Sequence, residues 1–355
     1  MEKNKSQKET LSNENTSKAE RNFINIHVNQ ETNNDTITNY NEASLSIASC
    51  SLIQIQSNIK LYRRMALKTQ NEDIQMTYAK YLLQIAKLYN KQGKTPEQTR
   101  HRLLSEAAYW IVRLAKAKKP EALFIKGRWC LLGPEAEECV IRGYEKTQEN
   151  KAFKCFLSAS KGGWTEAHYE LAQLWKIRGK FAKAIQYYEK GAKENHTLSI
   201  YKMAKILLRG QLKHKVDIPR GMAYLKQAAD MNDFASAEPA FVLGCIYAHE
   251  FDCIVNYPLA LTYLKKSCQK GYPDALYFMG QILETGKLGQ LSDSWQAYQY
   301  YVKAADADHV GAMLDLSRIY SQGIPGLLAA QKEIAFKWCS KAADLGFDQA
   351  EYVLG

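Results

Sequence analysis

The chain of 355 residues has little of what most function classes require. Its longest apolar stretches, such as Ala240–Ala248, fall far short of the ~18 residues a membrane-spanning helix needs. Nothing near Met1 is basic and then apolar, so no secretory leader and a cytosolic protein are expected. Eight prolines and 20 glycines exclude collagen-like and proline-rich material. The eight cysteines (Cys50, Cys130, Cys139, Cys155, Cys245, Cys253, Cys268 and Cys339) have no C-x-x-C spacing. Without an oxidising compartment they are expected to be reduced thiols packed as small hydrophobes.

The signatures of chemistry are missing as well. Seven histidines (His27, His101, His168, His196, His214, His249 and His309) are scattered. No H-E-x-x-H occurs, and His249-Glu250 has no second histidine one turn on. There is no G-x-x-x-x-G-K-[ST] and no G-x-S-x-G, and Gly286-Lys287-Leu288-Gly289 reads as a loop between helices. Glu135, Glu137 and Glu138 beside Cys139 have no histidine nearby and read as a solvated loop. Asn195-His196-Thr197 matches a glycosylation acceptor, which has no use without secretion. The expectation is a protein with no catalytic set, no metal and no cofactor: not an enzyme.

Charge and order are uneven along the chain. Lys and Arg number 48 against 37 Asp and Glu, a net charge of +11. Residues 1–40 carry five basic and six acidic side chains, so the whole excess lies further on. A basic body suits an acidic partner, whether nucleic acid, an anionic membrane face or an acidic protein patch. Diffuse lysines on solvated helix faces explain it equally, since no block of like charge occurs. Residues 1–43 are rich in Asn, Glu, Thr, Ser and Lys, with ten Asn in the first 41. Such a segment buries too little apolar area to offset its ordering entropy, and a disordered tail is expected. Helices are predicted over Asn58–Leu67 and Gln75–Tyr89. Thr95-Pro96-Glu97-Gln98 reads as the opening of the next, with an N-cap, an N1 proline and a capping-box glutamine.

An internal repeat dominates the rest. A small residue followed by another five positions later occurs at Ala122/Gly127, Ala167/Ala172, Ser199/Ala204, Pro239/Gly244, Ala275/Gly280, Ala312/Ser317 and Ala350/Gly355. The mean spacing is 38 residues. A second pattern has a small residue, then a mostly aromatic or apolar pair three and four later. It runs Ala107/Trp110/Ile111, Ala152/Cys155/Phe156, Ala184/Tyr187/Tyr188, Gly221/Tyr224/Leu225, Ala260/Tyr263/Leu264, Ala297/Tyr300/Tyr301 and Ala335/Trp338/Cys339, again with a mean spacing of 38. Each unit then reads as two antiparallel helices. In the first helix, positions 0, 4, 8 and 11 share an arc of about 80°. A glycine at position 11 can take the left-handed conformation that ends a helix. The second helix is expected to lay its position-3 Tyr or Trp against the first, which would account for 22 tyrosines against 11 phenylalanines. One pair cannot bury its apolar face alone, so neighbours stack. The expected fold is all-α, a right-handed solenoid of antiparallel helix pairs. Its expected segments are a tail over 1–43, a helical lead-in and cap over 44–100, and a repeat array over 101–355 of about six units plus an incomplete last one.

These residues resemble the Sel-one-like repeat family, a variable-length relative of the tetratricopeptide repeat. That motif reads A-x-x-x-L-G-x-x-Y-x-x-G, then A-x-x-W/Y-x-x-x-A-A-x-x-G. Ala275–Gly286 with Ala297–Ala305, and Ala312–Gly323 with Ala335–Gly346, match it well. Departures are Arg178 and Glu250 at position 11, Lys126 at position 4 and Pro239 at position 0, where Ser236 is expected to cap. A narrower resemblance rests on Ile59–Ala66, Ile74–Leu83 and Glu106–Trp110. They are similar to the "YR-x-x-A … IQ-x-x-[FY]-A-K-[FY]-L … EA-x-x-W" stretch preceding the repeats of fungal activators of chitin synthase. Activators of that group often end in a prenylation box; Tyr-Val-Leu-Gly at the end of this chain is not one.

The resemblance implies a non-catalytic scaffold for a protein client, with a membrane chitin synthase as that client in fungal cell-wall or septum synthesis. It implies a cytoplasmic protein recruited to the inner face of the plasma membrane or septum, with an anionic membrane surface as a further partner and nucleic acid disfavoured. The alternative is an adaptor for a signalling or protein-degradation complex, for which the lead-in match over Tyr62–Leu83 would have no role. The face opposite the apolar arc carries positions 2 and 6, where Arg128, Tyr169, Tyr201, Lys205, Tyr277, Gln281 and Arg318 form the candidate client groove. Packing of the position-2 aromatics against the next repeat is the competing account. The last residues, Ala350–Gly355, repeat positions 0 to 5 of a first helix and stop. Either a longer chain or a covering partner is expected there.

Overall fold

The computed structural model describes residues 52–88, 94–133, 143–248 and 255–346. The expected tail over 1–43, the Glu135–Cys139 cluster and the Ala350–Gly355 segment lie outside the described residues.

The described residues are all-α: fifteen helices packed as consecutive antiparallel pairs. In chain order they are α1 (Leu52–Thr69), α2 (Glu72–Leu88), α3 (Lys94–Lys116), α4 (Pro120–Leu132), α5 (Glu149–Lys161), α6 (Glu166–Ile177), α7 (Phe181–Lys193), α8 (Thr197–Arg209), α9 (Ile218–Asp230), α10 (Ala237–Ala248), α11 (Tyr257–Gln269), α12 (Pro273–Thr285), α13 (Ser294–Asp306), α14 (Val310–Gln322) and α15 (Lys332–Asp344). Among the described residues the sole extended pairing is an isolated bridge between Ile324 and Leu328. The molecule divides between Ser199 and Ile200 into two compact units, a first and a second.

Close approach within a pair follows from the small residues. The position-0 residues Ala122, Ala167, Ser199, Ala275 and Ala312 are completely buried. A Cβ on Gly127 would lie 2.6 Å from Phe156, on Gly244 2.8 Å from Leu264, and on Gly280 2.5 Å from Tyr301. The side chain seated against the position-5 glycine is thus the position-4 residue of the second helix. The position-3 contact that the tyrosine pattern suggested is made by Trp110, edge-on to Tyr78 of α2, and by Tyr263, stacked on Tyr247 of α10. Position 4 lies 40° from the small position 0, whereas position 3 lies 60° away on the other flank. Phe156, Tyr188, Leu225, Leu264 and Tyr301 are fully buried, each worth about 1.5–3 kcal/mol of apolar transfer. Tyr187, Tyr224, Tyr300 and Trp338 at position 3 are half-buried. Lysines three residues on lie 5.0 Å from the Tyr187 ring, 5.7 Å from Tyr300 and 5.6 Å from Trp338.

Helix ends follow local chemistry. Gly210 and Gly286, both at position 11, adopt the left-handed conformation. Where Arg178 replaces that glycine, Gly179 takes the positive φ one residue later. Asp217, Asn256 and Asp293 cap their helices by accepting backbone N–H groups. Ser236 does not cap as expected. It sits in a 3-10 turn, its own N–H donates to Asp233, and its hydroxyl donates to the Met231 and Asp233 carbonyls. Pro239 falls in the first turn of α10, where its missing N–H costs nothing.

The lead-in residues hold one another. Helix α3 runs from Lys94 through residue 100 and pairs with α2. Arg63 donates from Nε and Nη2 to the two Glu106 carboxylate oxygens, 2.7 Å each. The Tyr78 hydroxyl donates to Glu106 at 2.9 Å, and its ring meets Trp110 edge-on at 6.2 Å. Buried Gln75 donates from Nε2 to the Ala66 carbonyl at 3.1 Å, and Tyr62 and Tyr81 pack edge-to-face at 5.2 Å. The residues of the lead-in motif are therefore one another's packing partners.

Candidate functional site

The first helices present positions −1, 2, 3, 6 and 9 within about 120° of arc, opposite the apolar stripe. Each unit carries such a face.

In the first unit, α4 and α6 supply Arg128 and Tyr169. Arg128 is exposed. The Tyr169 ring is half-buried, 5.8 Å from Tyr188 of its own pair and 5.7 Å from His196. Its hydroxyl accepts from Gln173 at 2.8 Å. Beside them stand Glu166 and Glu170, one turn apart at positions −1 and 3. Burial pushes both carboxyl groups above the usual carboxylate range; Glu121 adds to this at Glu166 and the Arg128 charge opposes it at Glu170.

In the second unit, Tyr201 is 5% exposed and donates its hydroxyl to Glu238 at 2.8 Å. Lys205 donates to the same carboxylate oxygen at 2.8 Å and lies 4.1 Å from the Tyr201 ring. Tyr277 stacks on His309 at 4.3 Å, donates to Asp315 at 3.0 Å and accepts from Gln281 at 2.9 Å. Burial and the Asp315 charge push the Tyr277 hydroxyl up to about 12. Arg318 bridges Glu284 at 2.6 Å and Asp315 at 3.1 Å, and Tyr301 donates to Glu284 at 2.7 Å. His309 sits 3.5 Å from Asp274, and burial lowers its pKa.

Tyr201 and Lys205 therefore share one cluster, and Tyr277, Gln281 and Arg318 another, while Arg128 and Tyr169 sit on the first unit's face. The position-2 aromatics pack against the following first helix or the turn before it: Phe241 meets Tyr272 at 5.5 Å and Phe124 meets Trp164 at 6.1 Å. What sequence reasoning missed is the acid. Glu121, Glu166, Glu238 and Asp274 recur at position −1, and Glu170 and Asp315 at position 3. The repeat register carried that signal, since these positions flank 2 and 6 on the helix surface.

The chemistry available is recognition. Tyrosines held protonated by burial donate hydrogen bonds, and carboxylates accept them. Buried His168 bridges Ser160 at 3.1 Å and Glu194 at 3.2 Å, a structural role. Among the described residues no group of three or more His, Cys, Asp or Glu is placed to hold a metal ion. No described helix is long and apolar enough to cross a membrane.

The Sel1 repeat family pattern matches residues 138–164, 165–196, 197–233, 240–272, 273–309 and 310–347, more than half of the chain. The chain belongs to the Sel1 repeat family. Among solved Sel1 proteins it is similar to a Sel1 repeat protein from Oxalobacter formigenes, with a TM-score of 0.57 at 20% identity over 68% of this chain and 94% of that one. It is also similar to the Escherichia coli protective antigen c5321, with a TM-score of 0.51 at 18% identity over 82% and 65%. These likenesses show the fold alone. Among curated proteins it is similar to chitin synthase regulatory factor 3 of Schizosaccharomyces pombe, 26% identical over 92% of this chain and 36% of that protein. The chitin synthase regulator SKT5 of Saccharomyces cerevisiae is 24% identical over 86% and 45%. The chain thus spans between a third and a half of the length of these two relatives.

Proposed function

We propose that this Sel1 repeat protein is a non-catalytic scaffold that binds a chitin synthase through its first-helix faces and regulates it in fungal wall or septum synthesis. The observation that carries the reading is the reach of the similarity. A match over 92% of the chain cannot fit within the repeats at 138–347, so it includes the lead-in helices as well. Similarity confined to a generic repeat array would stop short of the helices that carry the interlocked Arg63 and Tyr78. In this reading α1 and α2 cap the array, and the first helices hold a cytosolic segment of the synthase at the inner face of the membrane. Such a scaffold activates only by binding one state of its client better than another. Half-buried aromatics beside fixed polar groups suit that task, because little side-chain freedom is lost on docking.

The test is genetic and biochemical together. The tagged chain should recover a chitin synthase from its own cells, and deletion of its gene should lower chitin deposition at the wall or septum. Unchanged chitin in the deletion strain, with another complex recovered, would transfer the scaffold to a different client.

A further inference from the structure

Every carboxylate on the second unit's first-helix face that was named above has a partner. Glu238 holds Lys205 and Tyr201, Asp274 faces His309, Asp315 holds Tyr277 and Arg318, and Glu284 holds Arg318 and Tyr301. The last set is a triad: a cation on a carboxylate that accepts from a buried tyrosine.

The first unit has the same parts with one missing. Tyr188 is the repeat counterpart of Tyr301, and it is fully buried. Its hydroxyl has no hydrogen-bond partner among the described residues. The position that supplies Glu284 to Tyr301 is Lys176 in this repeat, which offers no acceptor. Glu170 lies near enough for its charge to act on Tyr188. Neither Glu166 nor Glu170 forms an ion pair among the described residues. Glu166 meets its own backbone N–H and the like charge of Glu121, and Arg128 acts on Glu170 without reaching ion-pairing distance. Buried polar groups left unmatched cost free energy, and a cluster of them marks an unfinished site.

We propose that this face is a socket for a lysine or arginine side chain of the bound client, with Glu166 and Glu170 as its acceptors. A cation seated there would hold Glu170 ionised and fixed, giving the Tyr188 hydroxyl the acceptor that Tyr301 finds in Glu284. Charge complementarity selects the occupant: two desolvated carboxylates on one helix turn repel an acidic segment and gain from a basic one. The inference rests on client docking at the first helices, and it names the kind of residue docked there without depending on which protein supplies it.

The experiment uses the full chain and immobilised nine-residue peptide libraries, random except for a central lysine, arginine, norleucine or Nε-acetyl-lysine. Tiled cytosolic peptides of a chitin synthase are included as a separate set. The central lysine or arginine should raise binding at least tenfold over norleucine, and Glu166→Gln with Glu170→Gln should abolish that difference. Tyr188→Phe should weaken binding of the lysine library severalfold without lowering the melting temperature. As a readout on the unmutated chain, the Glu170 carboxyl pKa, followed by NMR, should fall when a lysine library peptide is added and not with its norleucine analogue. Binding indifferent to the central residue, a lysine preference that survives the double substitution, or an unmoved Glu170 pKa would each overturn the proposal. Lysine-dependent binding in the random libraries with none among the synthase peptides would defeat the chitin synthase reading and leave the socket standing.

Discussion

The two units are built from the same repeat and finish their first-helix faces differently. In the second, Lys205, Tyr201, Tyr277, Arg318 and Tyr301 all end on carboxylates of the same unit. In the first, among the described residues, Glu166 and Glu170 face no ion-pair partner, and the buried side-chain polar atoms without a hydrogen-bond partner are Trp164 Nε1, Trp175 Nε1 and Tyr188 Oη. One residue at position 9 accounts for much of the contrast: Glu284 in one repeat, Lys176 in the other. A repeat therefore fixes where side chains stand, and single substitutions at its flanking positions decide whether a face is closed on itself or open to a partner.

The largest expected effect comes from overfilling the helix contact. Gly280→Leu drives a side chain into Tyr301, which its bond to Glu284 prevents from swinging away. It should cost about 1–3 kcal/mol, read as a lower melting temperature. Gly127→Leu meets Phe156, which has no polar tether, and should fall at the lower end of that range. Equal losses would mean that the tether adds nothing.

Next comes the triad itself. Glu284→Ala leaves the Tyr301 hydroxyl buried without that acceptor and Arg318 on Asp315 alone, and should cost about 1–2 kcal/mol in denaturant unfolding. The paired comparison is sharper. Tyr301→Phe loses a made hydrogen bond, about 1 kcal/mol, whereas Tyr188→Phe removes an unpartnered hydroxyl and should be neutral or stabilising. A matching loss at Tyr188 would show that its hydroxyl is satisfied.

How much of this could be read from the sequence follows from what periodicity encodes. The small residues at positions 0 and 5 and the 38-residue spacing gave the helix pairs, because close packing leaves one solution for Ala122, Gly127 or Gly280. The knob facing the position-5 glycine was misassigned by one residue, though Trp110 and Tyr263 do pack on the first helix from position 3: aromatic and apolar side chains occupy both positions 3 and 4, and only burial separates Tyr300 from Tyr301. The face was half legible. Arg128, Lys205 and Arg318 stood out as basic residues beside tyrosines. Glu238, the partner of Lys205, and Glu284, a partner of Arg318, come from the neighbouring repeat, a relation that 100° per residue along a single helix does not display. The cap at Ser236 failed because Asp233, three residues earlier, is the better acceptor.

The smallest expected effect concerns pH. A carboxyl whose pKa is raised in the folded state binds its proton more tightly there than in the unfolded chain. Ionised Glu166 and Glu170 therefore weaken the fold at neutral pH, and that penalty disappears as the pH falls toward the unfolded value of 4.5. Glu170→Gln should raise the melting temperature by about 1–2 °C at pH 7, with the gain fading by pH 4. A lower melting temperature at pH 7 would mean that Glu170 already has a stabilising partner.

The most direct test of the open first-unit face is isothermal titration of the full chain with the cytosolic segment of a chitin synthase, repeated for Glu166→Gln with Glu170→Gln. The account predicts binding by the natural chain and at least a tenfold weaker affinity in the double variant, with its melting temperature unchanged or higher. Equal affinity in the two proteins would contradict it.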